Sequence, residues 1–176
     1  MINMILIQVI GAVAFLALSL SYFKKEKRQI LFMQIIAYIF FTIHYFLLSG
    51  VAGCICNLIG LLALLTIYFF DKYKLKNKVA VSTFFIAVLI IVNILTFQNA
   101  YSIFPLIAST IVIISFIKDN GNVIRIIGII SAICWLIYAI VYKSYISIIF
   151  EAITFLNVCI ALTKNISHKE KEKING

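Results

Sequence analysis

The sequence predicts an all-α, polytopic membrane protein, and three observations carry that prediction. Of its 176 residues 64% are hydrophobic and only 12% are charged, with a mean hydropathy of +1.14. Such a composition suits lipid as the folding solvent rather than water. The apolar residues also gather into seven stretches, each close to the roughly 20 residues a helix needs to cross a bilayer core about 30 Å thick. Finally, runs such as LIGLLALLTIYFF and IIGIISAICWLIYAI are apolar all round, whereas a transmembrane barrel strand alternates polar and apolar residues.

The first span, Met4 to Phe23, could be mistaken for a secretory signal. It lacks a positive segment in front, and the charges KKEKR follow it, so it reads as a retained first helix. Ile30 to Leu48 comes next, ending at a Ser-Gly break, and Val51 to Phe70 begins just beyond. A lysine-rich connection, Lys72 to Lys78, leads to the fourth span, Val79 to Phe97. Tyr101 to Ile117 contains the only proline, Pro105, either a hinge or the ordinary tolerance of proline near a helix start. The last two spans are Val123 to Tyr142 and Tyr145 to Thr163. The charged tail after them, 165–176, is expected to be disordered.

Charge placement gives the topology. Fourteen of the fifteen Lys and Arg residues fall on alternate connections or the tail, Arg125 among them, and only Lys143 falls on the other side. With positive charge retained in the cytoplasm, the N-terminus is outside, the C-terminus inside, and the number of spans odd. The net charge of +9 therefore indicates orientation and attraction to anionic lipid rather than nucleic acid.

Sliding the chain by 94 residues lays spans one to three on spans five to seven without a gap. Phe41 falls on Trp135, His44 on Tyr138, Asn57 on Glu151, Ser21 on Ser115 and Ala14 on Ala108. Each copy has a basic connection after its first helix and a two-residue break between its second and third. An odd fourth helix restores the orientation of the second copy. The expected plan is three plus one plus three: a first bundle in 1–75, a linker helix in 76–99 and a second bundle in 100–164, as parallel repeats about an axis along the membrane normal.

The stretches FTIHYFLLSGVAGCICNLIG and WLIYAIVYKSYISIIFEAITFLN resemble the two halves of the bacterial inner-membrane YgjV-type family. More distantly, the plan is similar to the SWEET, SemiSWEET and PQ-loop superfamily. There the aromatic-x-x-Tyr motif and the asparagine of the third helix line a sugar pocket, which by resemblance implicates Phe41, His44, Trp135, Tyr138, Asn57 and Glu151. The chain departs from that pattern in having no Pro-Gln pair and in placing Glu151 where a sugar carrier has asparagine. The YgjV-type resemblance implies an inner-membrane location without a substrate.

The residues support the same set independently. His44 and Asn57 lie equally far from the break centre, about 10 Å below the outer surface at 1.5 Å per residue, and Tyr138 and Glu151 repeat that depth. Gly53, Asn57 and Gly60 share one helix face, where small residues permit close approach. Asn57 reads equally well as interhelical glue or as a pocket residue. Glu151, the only acid within a predicted span, costs about 2.5 kcal/mol or more at a helix centre unless paired, protonated or facing water. It is read as a substrate or proton site; His44 is either its partner or a neutral ring bonded to a neighbouring helix. Phe41 and Trp135 are candidate pocket walls against a background of ordinary packing.

Gln8, Gln34 and Asn93 are expected near helix ends, with interfacial hydrogen bonds. Cys54, Cys56, Cys134 and Cys159 all fall within spans, with Cys54 and Cys56 on nearly opposite faces; they read as packing. No phosphate loop, H-E-x-x-H pair or intramembrane aspartate is present, so neither enzymatic activity nor a cofactor or metal is expected. The leading expectation is a secondary transporter for a small polar solute, embedded in the bilayer, with one chain enough for a complete bundle and a homo-oligomer left open. The competing expectation is a non-transporting accessory or assembly protein, whose mark would be a closed core with Asn57 and Glu151 bonded across helices.

Overall fold

The computed structural model describes residues 4–48, 50–97, 100–118, 120–141 and 145–174. Ser49 and Ser144 of the two breaks, and Lys143, lie outside the described residues. Seven α-helices run through the rest, with no strand among the described residues: α1 (Met4–Tyr22), α2 (Lys27–Leu47), α3 (Val51–Lys72), α4 (Lys78–Leu95), α5 (Ile103–Ile117), α6 (Gly121–Val141) and α7 (Tyr145–Ile174). A 3-10 turn, Ala100–Ser102, leads into α5. Counting that turn with α5, six helices are long and apolar enough to cross a membrane, and α7 contributes a shorter apolar segment, Ser147–Ile160. The chain is a polytopic, all-helical membrane protein. The helical backbone of α7 continues to Ile174, through most of the tail in which the sequence suggests disorder.

Consecutive helices pack in hairpins, α1 on α2, α2 on α3, α5 on α6 and α6 on α7. Contacts of α3 with α5 and of α1 with α7 close these six into a ring, and α4 lies outside it against α3 and α5. Accordingly α4 buries only Ser82, Leu89 and Asn93, leaving its remaining apolar surface for lipid.

Apolar contact offers little net drive between helices in lipid, so association depends on close approach and on polar pairs. Glycines supply the approach by receiving rings from a neighbouring helix. A Cβ at Gly53 would lie 2.8 Å from the Tyr45 ring, one at Gly60 2.6 Å from the Tyr38 ring and one at Gly128 2.7 Å from the Tyr22 hydroxyl. Ala14 and Ala108, which occupy matched positions in the two copies, are both fully buried. Ser21 and Ser115, also matched, donate alike to the carbonyls three residues back, Leu18 at 2.6 Å and Val112 at 2.7 Å.

Two polar residues sit deeper than expected. Asn93 is buried rather than interfacial: its Nδ2 donates to the Leu89 carbonyl at 2.9 Å and approaches Cys56 Sγ at 3.5 Å, which joins α4 to α3. Arg125 is no solvated loop charge but 2% exposed within α6. The cysteines are free, with Cys56 buried and Cys54 partly exposed, as opposite faces require. Between α3 and α4, Lys74 and Asn77 take positive φ angles of 52° and 74°. Asp71 at this corner pairs with Lys27 of α2 at 2.8 Å and with Lys78 of α4.

Candidate functional site

All six helices of the ring contribute to one central cavity of about 60 Å³. From α2 come Gln34, Tyr38, Phe41 and Tyr45, spaced i, i+4, i+7 and i+11 on a single helix face. The matched face of α6 supplies Gly128, Ala132 and Trp135, along with Ile124 and Ser131. Leu18 and Tyr22 line it from α1, Asn57 from α3, Val112 and Ser115 from α5, and Glu151 and Thr154 from α7.

Four of the six residues singled out in the sequence therefore meet here, Phe41, Asn57, Trp135 and Glu151. The other two stand behind the wall. His44 turns to α1, where its Nδ1 lies 2.9 Å from the Ile7 carbonyl oxygen and its ring fills the space beside Gly11. The ring is thus bonded to a neighbouring helix, α1, and not paired with Glu151. Tyr138 packs edge-on against Trp135, with centroids 6.1 Å apart. Pro105 stands third in α5, in the first turn, where the missing N–H breaks no intrahelical bond.

Asn57 does not bridge helices: its Nδ2 donates to the Gly53 carbonyl of its own helix at 2.8 Å. Gln34, expected at an interface, is instead 3% exposed and faces the cavity. Its Oε1 and the Oγ1 of Thr154, 1% exposed, have no hydrogen-bond partner among the described residues. Two polar groups buried without partners, an amide oxygen and a hydroxyl, are costly, about 1–3 kcal/mol each, and both residues border the same small space. Glu151 is the only acidic residue lining that space, and no basic residue does.

Aromatic pairs join the helices around the cavity. Toward the α2–α3 break, Tyr45 and Trp135 stack with centroids 6.0 Å apart and planes 26° from parallel. Phe15, edge-on to Phe41 at 4.7 Å, stacks on Phe150 at 4.6 Å and joins α1 to α7. Toward the basic connections, Tyr22 lies over Gly128. Just beyond it, Arg125 Nε donates to the Tyr22 carbonyl at 2.8 Å, one Nη to Asn122 Oδ1 at 2.9 Å and the other to the Lys24 carbonyl. Carbonyls at the end of α1 lack intrahelical donors, and the guanidinium satisfies that of Tyr22 together with that of Lys24 just past the helix, while complementing the negative end of the helix dipole.

The residues that sequence reasoning passed over are Gln34, Tyr38, Tyr45, Tyr22, Thr154 and Arg125. A signal for the α2 set was present: Gln34, Tyr38, Phe41 and Tyr45 form a polar and aromatic stripe at helical spacing. Arg125 offered no such signal, because a basic residue near a helix end reads as a topology mark.

Comparison with curated proteins and with solved structures returns no match. The model of the family Imp-YgjV, described as bacterial inner membrane protein, matches residues 5–169. That match spans nearly all of the chain, from α1 into the tail of α7, and the chain belongs to this family of multi-pass bacterial inner membrane proteins.

Proposed function

We propose that this protein is a secondary carrier for a small polar solute, working by alternating access, with α1–α3 and α5–α7 as two repeated bundles joined by α4 and with α7 as a seventh crossing. One observation carries the reading: a central cavity lined by all six ring helices that holds the acid Glu151 and two unpartnered polar atoms, Gln34 Oε1 and Thr154 Oγ1. A structural core would satisfy or omit such groups; a site that exchanges solute keeps them for the solute. A closed core with Asn57 and Glu151 bonded across helices would favour an accessory protein, whereas Asn57 bonds within its own helix.

The repeat supports the mechanism. Matched pairs Leu18/Val112, Gln34/Gly128, Tyr38/Ala132, Phe41/Trp135 and Asn57/Glu151 all line the cavity, as expected when parallel repeats meet at a shared interface. On this reading the small cavity, about 60 Å³, widens when a solute is admitted. Opening the Tyr45–Trp135 layer exposes the cavity to one side, and releasing Tyr22 and Arg125 exposes it to the other. On the distribution of lysine and arginine, the N-terminus faces outward and the C-terminus the cytoplasm. One chain completes the ring, so a monomer suffices.

The test is solute flux in proteoliposomes containing the full chain, screened by class of solute and repeated with Asn57→Ala. Flux of at least one solute class above protein-free vesicles, reduced about tenfold or more by Asn57→Ala, is the expected result. A complete screen in which protein-containing and empty vesicles behave alike would overturn the carrier.

A further inference from the structure

We propose that the central cavity selects a small organic cation, holding a primary ammonium group between Glu151 and the rings of Tyr22, Tyr38, Tyr45 and Trp135. The proposal rests on the carrier reading and names the substrate class for the same site.

Charge comes first. Among the residues lining the cavity, Glu151 is the only one of an ionic type, and no basic side chain stands beside it on the wall. A carboxylate in this setting is stable when it faces a cation or water. The nearest guanidinium, that of Arg125, is committed to the Tyr22 and Lys24 carbonyls and to Asn122 outside the wall, so the wall carries no positive charge to balance an anion.

Hydrogen-bonding capacity points the same way. Two groups without a partner face the same space, Gln34 Oε1, an acceptor, and the Thr154 hydroxyl, which can accept as well as donate, with Thr154 one turn from Glu151 on the same face of α7. Asn57 uses one of its two amide N–H groups on the Gly53 carbonyl. An ammonium group carries three N–H donors and no acceptor, and the Glu151 carboxylate, Gln34 Oε1 and Thr154 Oγ1 can each accept from it.

The aromatic wall completes the match. Tyr22, Tyr38, Tyr45 and Trp135 reach the cavity from three helices, and Glu151 lies within electrostatic range of Tyr22 and Tyr45. Ring faces carry partial negative charge and attract cations, most strongly where water is excluded. About 60 Å³ accommodates the ammonium head, and a longer solute enters as the Tyr45–Trp135 stack parts.

Trp135 is the only tryptophan in the chain, so intrinsic fluorescence reports on the cavity wall directly. Purified full-length protein is titrated at constant ionic strength with ethylammonium, with its neutral isostere ethanol and with propionate. Saturable change with ethylammonium alone, weakened about tenfold or more in Glu151→Gln, is the expected result. Equal binding of ethanol or propionate, or unchanged affinity in a folded Glu151→Gln, would overturn the proposal.

Should Glu151→Gln fail to elute as the parent does, Gln34→Leu and Thr154→Val take its place, each expected to weaken ethylammonium about threefold or more. Unchanged affinity in both would equally overturn the proposal. Ethylammonium flux in proteoliposomes separates the two readings. Glu151-dependent binding without any flux keeps the cation site and removes the carrier; flux of neutral solutes with no cation binding keeps the carrier and removes the cation site.

Discussion

Replacing Arg125 by leucine, the residue at the matched position 31, tests the clamp between α1 and α6. The perturbation keeps an apolar side chain in a buried place but removes three hydrogen bonds, to the carbonyls of Tyr22 and Lys24 and to Asn122. Asn122 lies at the start of α6 and can turn to water, so its bond contributes little. The two carbonyls close the end of a helix held under a neighbour, and each loses a charged donor worth about 1.5–3 kcal/mol. Taking the lower end, because this helix end is near the interface, the cost is about 3 kcal/mol. At about 2–4 °C per kcal/mol for a chain of this size, the melting temperature falls by about 6–12 °C. Thermal unfolding followed by Trp135 emission in one detergent measures it. Arg125→Lys, which keeps the charge but loses the fork, should fall between leucine and the parent. If Arg125→Leu melts with the parent, the clamp holds nothing; if lysine equals arginine, charge alone and not the two-carbonyl geometry is responsible.

Gly60→Ala places a methyl group 2.6 Å from the Tyr38 ring, so the ring must move or the helices part; a loss of about 1–3 kcal/mol and a shift in Trp135 emission are expected from the same melting measurement. His44→Ala removes the contact with the Ile7 carbonyl and the ring beside Gly11, costing about 1–3 kcal/mol while leaving ethylammonium affinity within about twofold, since His44 does not line the cavity. A C-terminal fluorescent fusion should mature in the cytoplasm, and a C-terminal fusion to a phosphatase active only outside should be inactive. The reverse pattern would contradict the orientation read from the basic connections.

The helices were legible because lipid enforces a simple rule, an apolar run of a certain length, and the first residues of α1, α3 and α7 fall where those runs begin. The α2–α3 hairpin was more legible than it seemed. Tyr45 meets Gly53 and Tyr38 meets Gly60, pairs equidistant from residue 49, so ring and glycine positions mirrored about the break announce the contact. The shared depth of Asn57 and Glu151 brought both to one cavity wall, but depth carries no direction, and His44 at the same depth faces away, toward α1. Gln34 was discounted through distance from a helix end, although helix rotation decides what a side chain faces. Arg125 was unreadable for a different reason: its distant partners are the main-chain carbonyls of Tyr22 and Lys24, about a hundred residues earlier, and carbonyls leave no trace in sequence. Asn93 likewise depends on a cysteine brought near by packing.

The corner at Asp71 settles which way α4 leans. Lys27, Asp71 and Lys78 tie the beginning of α2, the end of α3 and the beginning of α4 into one knot of alternating charge, reinforced farther along by Asn93 against Cys56. Toward α5, by contrast, the chain crosses through the 3-10 turn Ala100–Ser102. The odd helix thus has its ion pair and its Asn93–Cys56 contact on the side of α3, a fourth stave pinned by polar groups to α3 and packed against α5 as well.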